Sequence, residues 1–146
     1  MIIQKINPLE GKPLIDELDT YQSALYPAES CHLDSIETLQ ANNVVFLAAI
    51  EKAQVIAIGS VKLLGDYGEI KRIYVPTQHR GKRLAQKIIA ELENRMTSNG
   101  IFLAKLETGP ASTEAIALYK KLGYVECEKF GNYKDDPLSV FMEKQL

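Results

Sequence analysis

Between Glu69 and Thr108 the apolar pattern switches from strand to helix and back to strand. That double switch constrains the fold more than any other stretch of the chain. Glu69-Ile70-Lys71-Arg72-Ile73-Tyr74-Val75 reads as a strand stopped by Pro76. Leu84, Ile88, Leu92 and Met96 then fall four residues apart, which lines one face of a helix from Leu84 to Thr97. Asn99-Gly100 closes that helix. Ile101 to Thr108 is again a strand, cut by Gly109-Pro110. A strand, a helix and a strand in this order form a crossover unit of the kind that joins parallel neighbours.

The flanking segments lack this crossover signature. Met1 to Ile6 predicts a first strand ended by Asn7-Pro8, and Pro13 to Leu25 a helix whose Leu14, Leu18, Tyr21 and Leu25 share a face. Asp34 to Ala41 predicts a second, shorter helix. Val44 to Ile50 and Val55 to Leu64 form a strand pair across Glu51-Lys52-Ala53-Gln54, with Gly59 marking a bulge or a close backbone approach. Gly65 to Gly68 is a turn. After the crossover, Ser112 is placed to cap a helix running to Leu122, with Gly123 as its stop. Tyr124 to Lys129 and Leu138 to Lys144 alternate as two final antiparallel strands. The expected class is α/β (α+β, mixed sheet), and a chain of 146 residues predicts one domain over 1–146.

Charge and cysteine usage exclude several classes of partner. A net charge of −2 provides no global positive field, so neither nucleic acid nor an anionic membrane is an expected partner. No apolar run approaches the roughly 20 residues a membrane helix needs, and Met1 to Pro8 lacks a signal-peptide pattern. Cys31 and Cys127 match neither a metal spacing nor a redox pair. They read as reduced thiols of a cytoplasmic protein, with no metal expected.

The segment richest in chemistry is Arg80-Gly81-Lys82-Arg83-Leu84-Ala85, at the start of the central helix. A helix start exposes unpaired N–H groups and partial positive charge. Three cations crowded there are electrostatically misplaced, at a cost of a few tenths of a kcal/mol each. The arrangement becomes favourable once a phosphate or diphosphate sits on the turn. A solvated basic turn is the plain alternative. No Lys-Ser/Thr follows a longer glycine loop and the two-glycine dinucleotide fingerprint is absent, so the standard nucleotide motifs do not apply.

The stretch from Glu69 to Tyr124 resembles the central half of a GNAT-family (Gcn5-related) N-acetyltransferase. Arg80 to Ala85 resembles that family's Arg/Gln-x-x-Gly-x-Gly/Ala signature. Ala115-Ile116-Ala117-Leu118-Tyr119-Lys120-Lys121-Leu122-Gly123-Tyr124 resembles its Ala-x-x-Leu-Tyr-x-Lys-x-Gly-Phe/Tyr signature. Two positions depart from the pattern. Arg83 stands where glycine is usual, and Ser112 where asparagine is frequent, near the pantetheine arm.

The resemblance implies a mostly antiparallel sheet with one splayed parallel strand pair that admits acetyl-CoA. It implies that Ile73, Tyr74 and Val75 pair with the pantetheine arm and that one of their N–H groups polarises the thioester carbonyl. The diphosphate would rest on the amides from Arg80 to Ala85, that is Arg80, Gly81, Lys82, Arg83, Leu84 and Ala85. Tyr119 matches the acid that protonates the leaving thiolate, and its other reading is a core aromatic. Glu69 matches the catalytic base of one branch, and its other reading is a solvated turn glutamate.

Tyr21, Tyr26, Glu29, Phe130, Tyr133 and Asp135 fall where relatives build the acceptor pocket, and ordinary loop packing also accounts for each. His32 and His79 are isolated histidines. Lys71 and Arg72 could attract an acceptor carboxylate, although strand-edge solubility explains them as well. The implied partners are acetyl-CoA and an amine acceptor, with a homodimer allowed. The competing classes are a non-catalytic acyl-CoA sensor on the same fold and a nucleotide-binding domain of another fold.

Overall fold

In the computed structural model, which describes residues 1–146, seven strands form one sheet. They are β1 (Ile2–Lys5), β2 (Val44–Glu51), β3 (Gln54–Leu63), β4 (Gly68–Tyr74), β5 (Leu103–Thr108), β6 (Val125–Glu126) and β7 (Val140–Gln145). The spatial order is β1-β2-β3-β4-β5-β7-β6, and every neighbouring pair is antiparallel except β4 with β5. The helices are α1 (Lys12–Leu25), α2 (Ile36–Leu39), α3 (Leu84–Ser98) and α4 (Thr113–Lys121). None is long and apolar enough to cross a membrane.

The helix stripes cover both faces of the sheet. Leu84, Ile88, Leu92 and Met96 of α3 are all buried, together with Ile89, against Leu47, Val61, Ile70, Leu106 and Met142. Fully burying a side chain of this size stabilises the fold by about 1.5–3 kcal/mol, so α3 is held by packing more than by propensity. On the opposite face, Leu14 and Ile15 of α1 and Leu39 of α2 close over Phe46, Ala48 and Ile58. The central helix ends as its sequence predicts: Gly100 has φ 74° and the Ile101 amide reaches back to the Met96 carbonyl at 2.9 Å.

Three boundaries differ from the sequence reading. A 3-10 turn at Pro8–Gly11, capped by Asn7 and Glu10, precedes α1. The second helix is only Ile36–Leu39. The penultimate strand is only Val125–Glu126, and beyond it Phe130 buries its ring against Phe141, with centroids 5.6 Å apart.

Two irregularities position the site. Ile58 pairs with Tyr74 but Ser60 pairs with Lys71, so Arg72 and Ile73 together oppose Gly59 in a β-bulge. Arg72 takes φ 60°, a left-handed conformation rare outside glycine. Gly59 makes room for the bulge, since a Cβ there would lie 2.6 Å from both Ile73 Cδ1 and Ile88 Cγ2. The Ser60 hydroxyl donates to the Lys71 carbonyl at 2.9 Å, which satisfies an acceptor next to the bulge. The second irregularity is the parallel pair. β4 and β5 share only three partners, Gly68–Ala104, Glu69–Lys105 and Ile70–Leu106, and then part.

Gly59→Val places two methyl groups against Ile73 and Ile88. Overpacking of this kind costs about 1–3 kcal/mol, and the expected value is near the upper end because Ile88 is fully buried and has no room to shift. Urea denaturation measures it as a lowered midpoint at unchanged slope. A midpoint equal to that of the parent chain would refute this account of the bulge.

Candidate active site

Where β4 and β5 part, a cleft of about 630 Å³ opens between the strand ends, α1, the start of α3 and α4. Ligand sites in sheets with parallel strands favour this place, beyond the carboxyl ends of the strands. The wall on the β4 side includes Ile73, Tyr74 and Val75. Because pairing with β5 has ended at Ile70, this stretch has no β5 partner. It is an internal sheet edge able to pair with an extended ligand.

One end of the cleft is the turn into α3. Gly81 has φ 85° and Arg83, the residue before the helix, has φ 59°. No side chain caps the first turn of α3, so its N–H groups receive no side-chain acceptor. Arg80, Gly81, Arg83, Leu84 and Ala85 line the cleft, whereas Lys82 does not. The Lys82 ammonium lies 3.6 Å from Glu51 instead. The Arg80 guanidinium donates to the Val75 carbonyl at 3.2 Å and stands 3.7 Å from Glu114. Arg83, the departure from the glycine pattern, has an exposed side chain and adopts the left-handed geometry that glycine would supply.

Ser112 does not cap α4. It occupies the position before Thr113, but its buried hydroxyl lies 3.0 Å from the Tyr26 hydroxyl, and no side-chain cap forms. The reason is local. Gly109 has no Cβ, and the Tyr26 ring packs where one would stand, which brings the phenol to Ser112. Tyr26 therefore fastens the β5–α4 connection to the end of α1. Ser112 still lines the cleft.

Tyr119 combines its two readings. It is 7% exposed, belongs to the core cluster with α3, and packs edge-on against Tyr124 with centroids 5.7 Å apart. It also lines the cleft. Burial pushes its phenol above the usual tyrosine value, with no charge or hydrogen bond contributing. A phenol in that state stays protonated and keeps its O–H available to donate.

Glu69 is buried, not a solvated turn residue. It accepts a hydrogen bond from the Tyr133 hydroxyl at 2.5 Å, and the Lys71 ammonium lies 3.9 Å away. Tyr133 thus joins the site, as does His32, whose ring meets Tyr133 edge-on at 4.9 Å. Lys71 and Arg72 are not free to receive a carboxylate. Lys71 is held 3.2 Å from Asp34, while Arg72 pairs with Asp19 and donates to the Asp34 carbonyl.

The residue that sequence reasoning misses is Glu107. It follows Leu106, the last β5 residue paired with β4, and lines the cleft. Burial pushes its carboxyl up to about 7, with Glu69 and Asp136 adding to the rise and Ser139 and Lys71 opposing it. The available signal is an acid at the carboxyl end of a crossover strand, just before Gly109-Pro110.

This shift makes Glu107 a source of instability at neutral pH. The unfolded chain loses the Glu107 proton near pH 4.3, while the folded chain keeps it to about 7. In that window the native state binds more protons, so stability falls as pH rises. Glu107→Gln removes the penalty. Its melting temperature is expected to exceed the parent's at pH 8 and to converge with it near pH 4, by calorimetry. A constant difference across that range would refute the assignment.

The sequence and fold comparisons agree with this geometry. The family model described as "Acetyltransferase (GNAT) family" matches residues 12–124. An IAA acetyltransferase of Azospirillum brasilense is 40% identical over 99% of this chain and 97% of its own length. A Klebsiella pneumoniae protein provisionally assigned as an acyl-CoA N-acyltransferase superposes with a TM-score of 0.84 at 35% identity, covering 99% of this chain and 97% of that one. The PaiA N-acetyltransferase of Thermoplasma acidophilum, solved with coenzyme A, shares the fold at a TM-score of 0.78 and 20% identity, over 99% and 98% of the two chains. The chain belongs to the GNAT family, and it is an acyl-CoA-dependent N-acetyltransferase that carries an acetyl group to an amine.

Proposed function

We propose that the cleft binds acetyl-CoA along β4 and that Tyr119 and Glu107 handle the two protons of acetyl transfer to a primary amine. The observation that carries this reading is the strand parting: it opens beside an uncapped helix start and has both residues on its wall. When bound, acetyl-CoA supplies the activated acyl group. Ile73, Tyr74 and Val75 offer backbone that has no β5 partner to its pantetheine arm, and an N–H from this stretch would polarise the thioester carbonyl. The amides of Gly81, Lys82, Arg83, Leu84 and Ala85 would hold the diphosphate, with Arg80 adding charge from the strand side and Ser112 bordering the arm. Lys82 contributes backbone only, since its side chain lies near Glu51.

The amine must lose a proton to attack, and the sulfur gains one as it leaves. A lysine-like amine with pKa about 10.4 is roughly 4–5 kcal/mol from its neutral form at pH 7. A thiol of pKa about 8.5 needs only about 2 kcal/mol. Removing the proton from the amine is therefore the larger task. Glu107, with a carboxyl near 7, suits it better than Glu69, which is already engaged by Tyr133. Glu69 serves as a fixed negative charge that draws the ammonium in. The free thiols Cys31 and Cys127 support a reducing, cytoplasmic setting.

Thiol release from acetyl-CoA, measured across a panel of primary amines, tests the reading. Tyr119→Phe is expected to lower kcat about 100-fold while the Kd for acetyl-CoA stays within about twofold. Unchanged kcat would remove Tyr119 from the chemistry. In kcat/KM the parent should show an acidic limb near pH 7 that Glu107→Gln abolishes. A limb that persists in the variant would place the base elsewhere.

A further inference from the structure

The acceptor end of the cleft has a charge pattern that selects among amines, and the inference drawn from it rests on the acetyl-transfer reading above. The β4–β5 register puts Glu69 and Lys105 side by side on one face. Counting two residues on places Lys71 and Glu107 on that same face, opposite Ile70 and Leu106 in the core. Two carboxylates therefore flank the strand parting.

The cations beside them are already committed. Lys71 has Asp34 at 3.2 Å and Glu69 at 3.9 Å, with only 15% of its side chain exposed. The side chain of Arg72 is 4% exposed and engaged by Asp19 and the Asp34 carbonyl. Lys105, beside Glu69, has Glu143 at 2.8 Å, with 17% of its side chain exposed. A carboxylate brought in next to the acceptor nitrogen would meet Glu69 and Glu107, while Lys71, Arg72 and Lys105 already have acidic partners.

The wall also carries apolar and aromatic side chains, Leu18, Leu33, Leu138, Tyr21 and Tyr133. Tyr133 is braced edge-on by His32, Phe130 and Phe141 at 4.9, 5.3 and 5.4 Å. This makes a stiff aromatic surface suited to another ring.

We infer that the acceptor is an arylalkyl primary amine with no carboxylate beside its nitrogen. Glu69 and Glu107 receive the ammonium, the Tyr133 wall receives the ring, and Asp34 silences the one lysine that would welcome an amino acid.

Binding to the CoA-saturated protein tests this without turnover. The calorimetric probes are phenethylamine, L-phenylalaninamide, L-phenylalanine and n-butylamine, at a pH where each carries an ammonium. The two carboxylate-free aromatic amines should bind about 100-fold more tightly than phenylalanine and about 10-fold more tightly than butylamine. In Asp34→Asn, which releases Lys71, the preference for phenylalaninamide over phenylalanine should fall at least about fivefold. Equal binding of phenylalanine and its amide overturns the inference. So does equal binding of butylamine and phenethylamine, or no binding of any probe at about 10 mM. Thiol release with acetyl-CoA is followed in parallel. Selective binding without thiol release would sink acetyl transfer while the ligand class stands, and thiol release with phenylalanine preferred would do the reverse.

Discussion

The whole site depends on a sheet that is prevented from closing. Parallel neighbours normally continue their hydrogen bonds to the end of the shorter strand, but β4 and β5 stop after Ile70–Leu106. The cause lies one strand away. Gly59 and Ser60 accommodate an extra residue in β4, and Arg72 accepts a left-handed backbone to provide it. The bulge bends β4 away from β5 and turns its backbone toward the cleft. Strain of this kind persists only where the surroundings fix it. Here Arg72 is fixed by Asp19 on α1 and the Asp34 carbonyl, and its neighbour Lys71 is fixed by Ser60. The same contacts hold α1 over the cleft, so the bulge and its roof are one mechanical unit.

Electrostatics divide the cleft into two ends with opposite demands. The α3 end combines free amides with Arg80 and Arg83 and is suited to an anion. At the other end Glu69, Glu107, Asp34 and Asp136 outnumber Lys71 and Arg72, which suits a cation. A chain of net charge −2 thus gathers both signs locally without a global field of either. Glu107 carries the cost. Holding its carboxyl near neutrality lowers stability at the pH where a base is wanted, a common exchange at functional sites.

Much of this was legible in the residues and some of it was not. The strand–helix–strand switch, the four-residue spacing from Leu84 to Met96 and the closure at Gly100 are local patterns, and the structure follows them. The lining positions from Ile73 to Val75 and Arg80 to Ala85 also follow, Lys82 excepted, because a motif and the turn that forms it are contiguous. The sequence places Ser112 as a side-chain cap, and nothing near it announces that its hydroxyl meets Tyr26 instead. Lys71 and Arg72 looked available because Asp34 and Asp19 are distant in sequence. Glu107 stayed hidden for the same reason: burial and the proximity of Glu69 define it, and neither has a sequence period.

The central claim is that main-chain amides at the start of α3, beside an unpaired stretch of β4, hold the diphosphate and arm of the acyl carrier. Backbone amide NMR during a coenzyme A titration tests it most directly. The account predicts the largest shifts at Gly81, Lys82, Arg83, Leu84 and Ala85, with Ile73 to Val75 next, and β1 and β6 silent. Saturable shifts centred elsewhere, with the Gly81 to Ala85 amides unmoved, would contradict it.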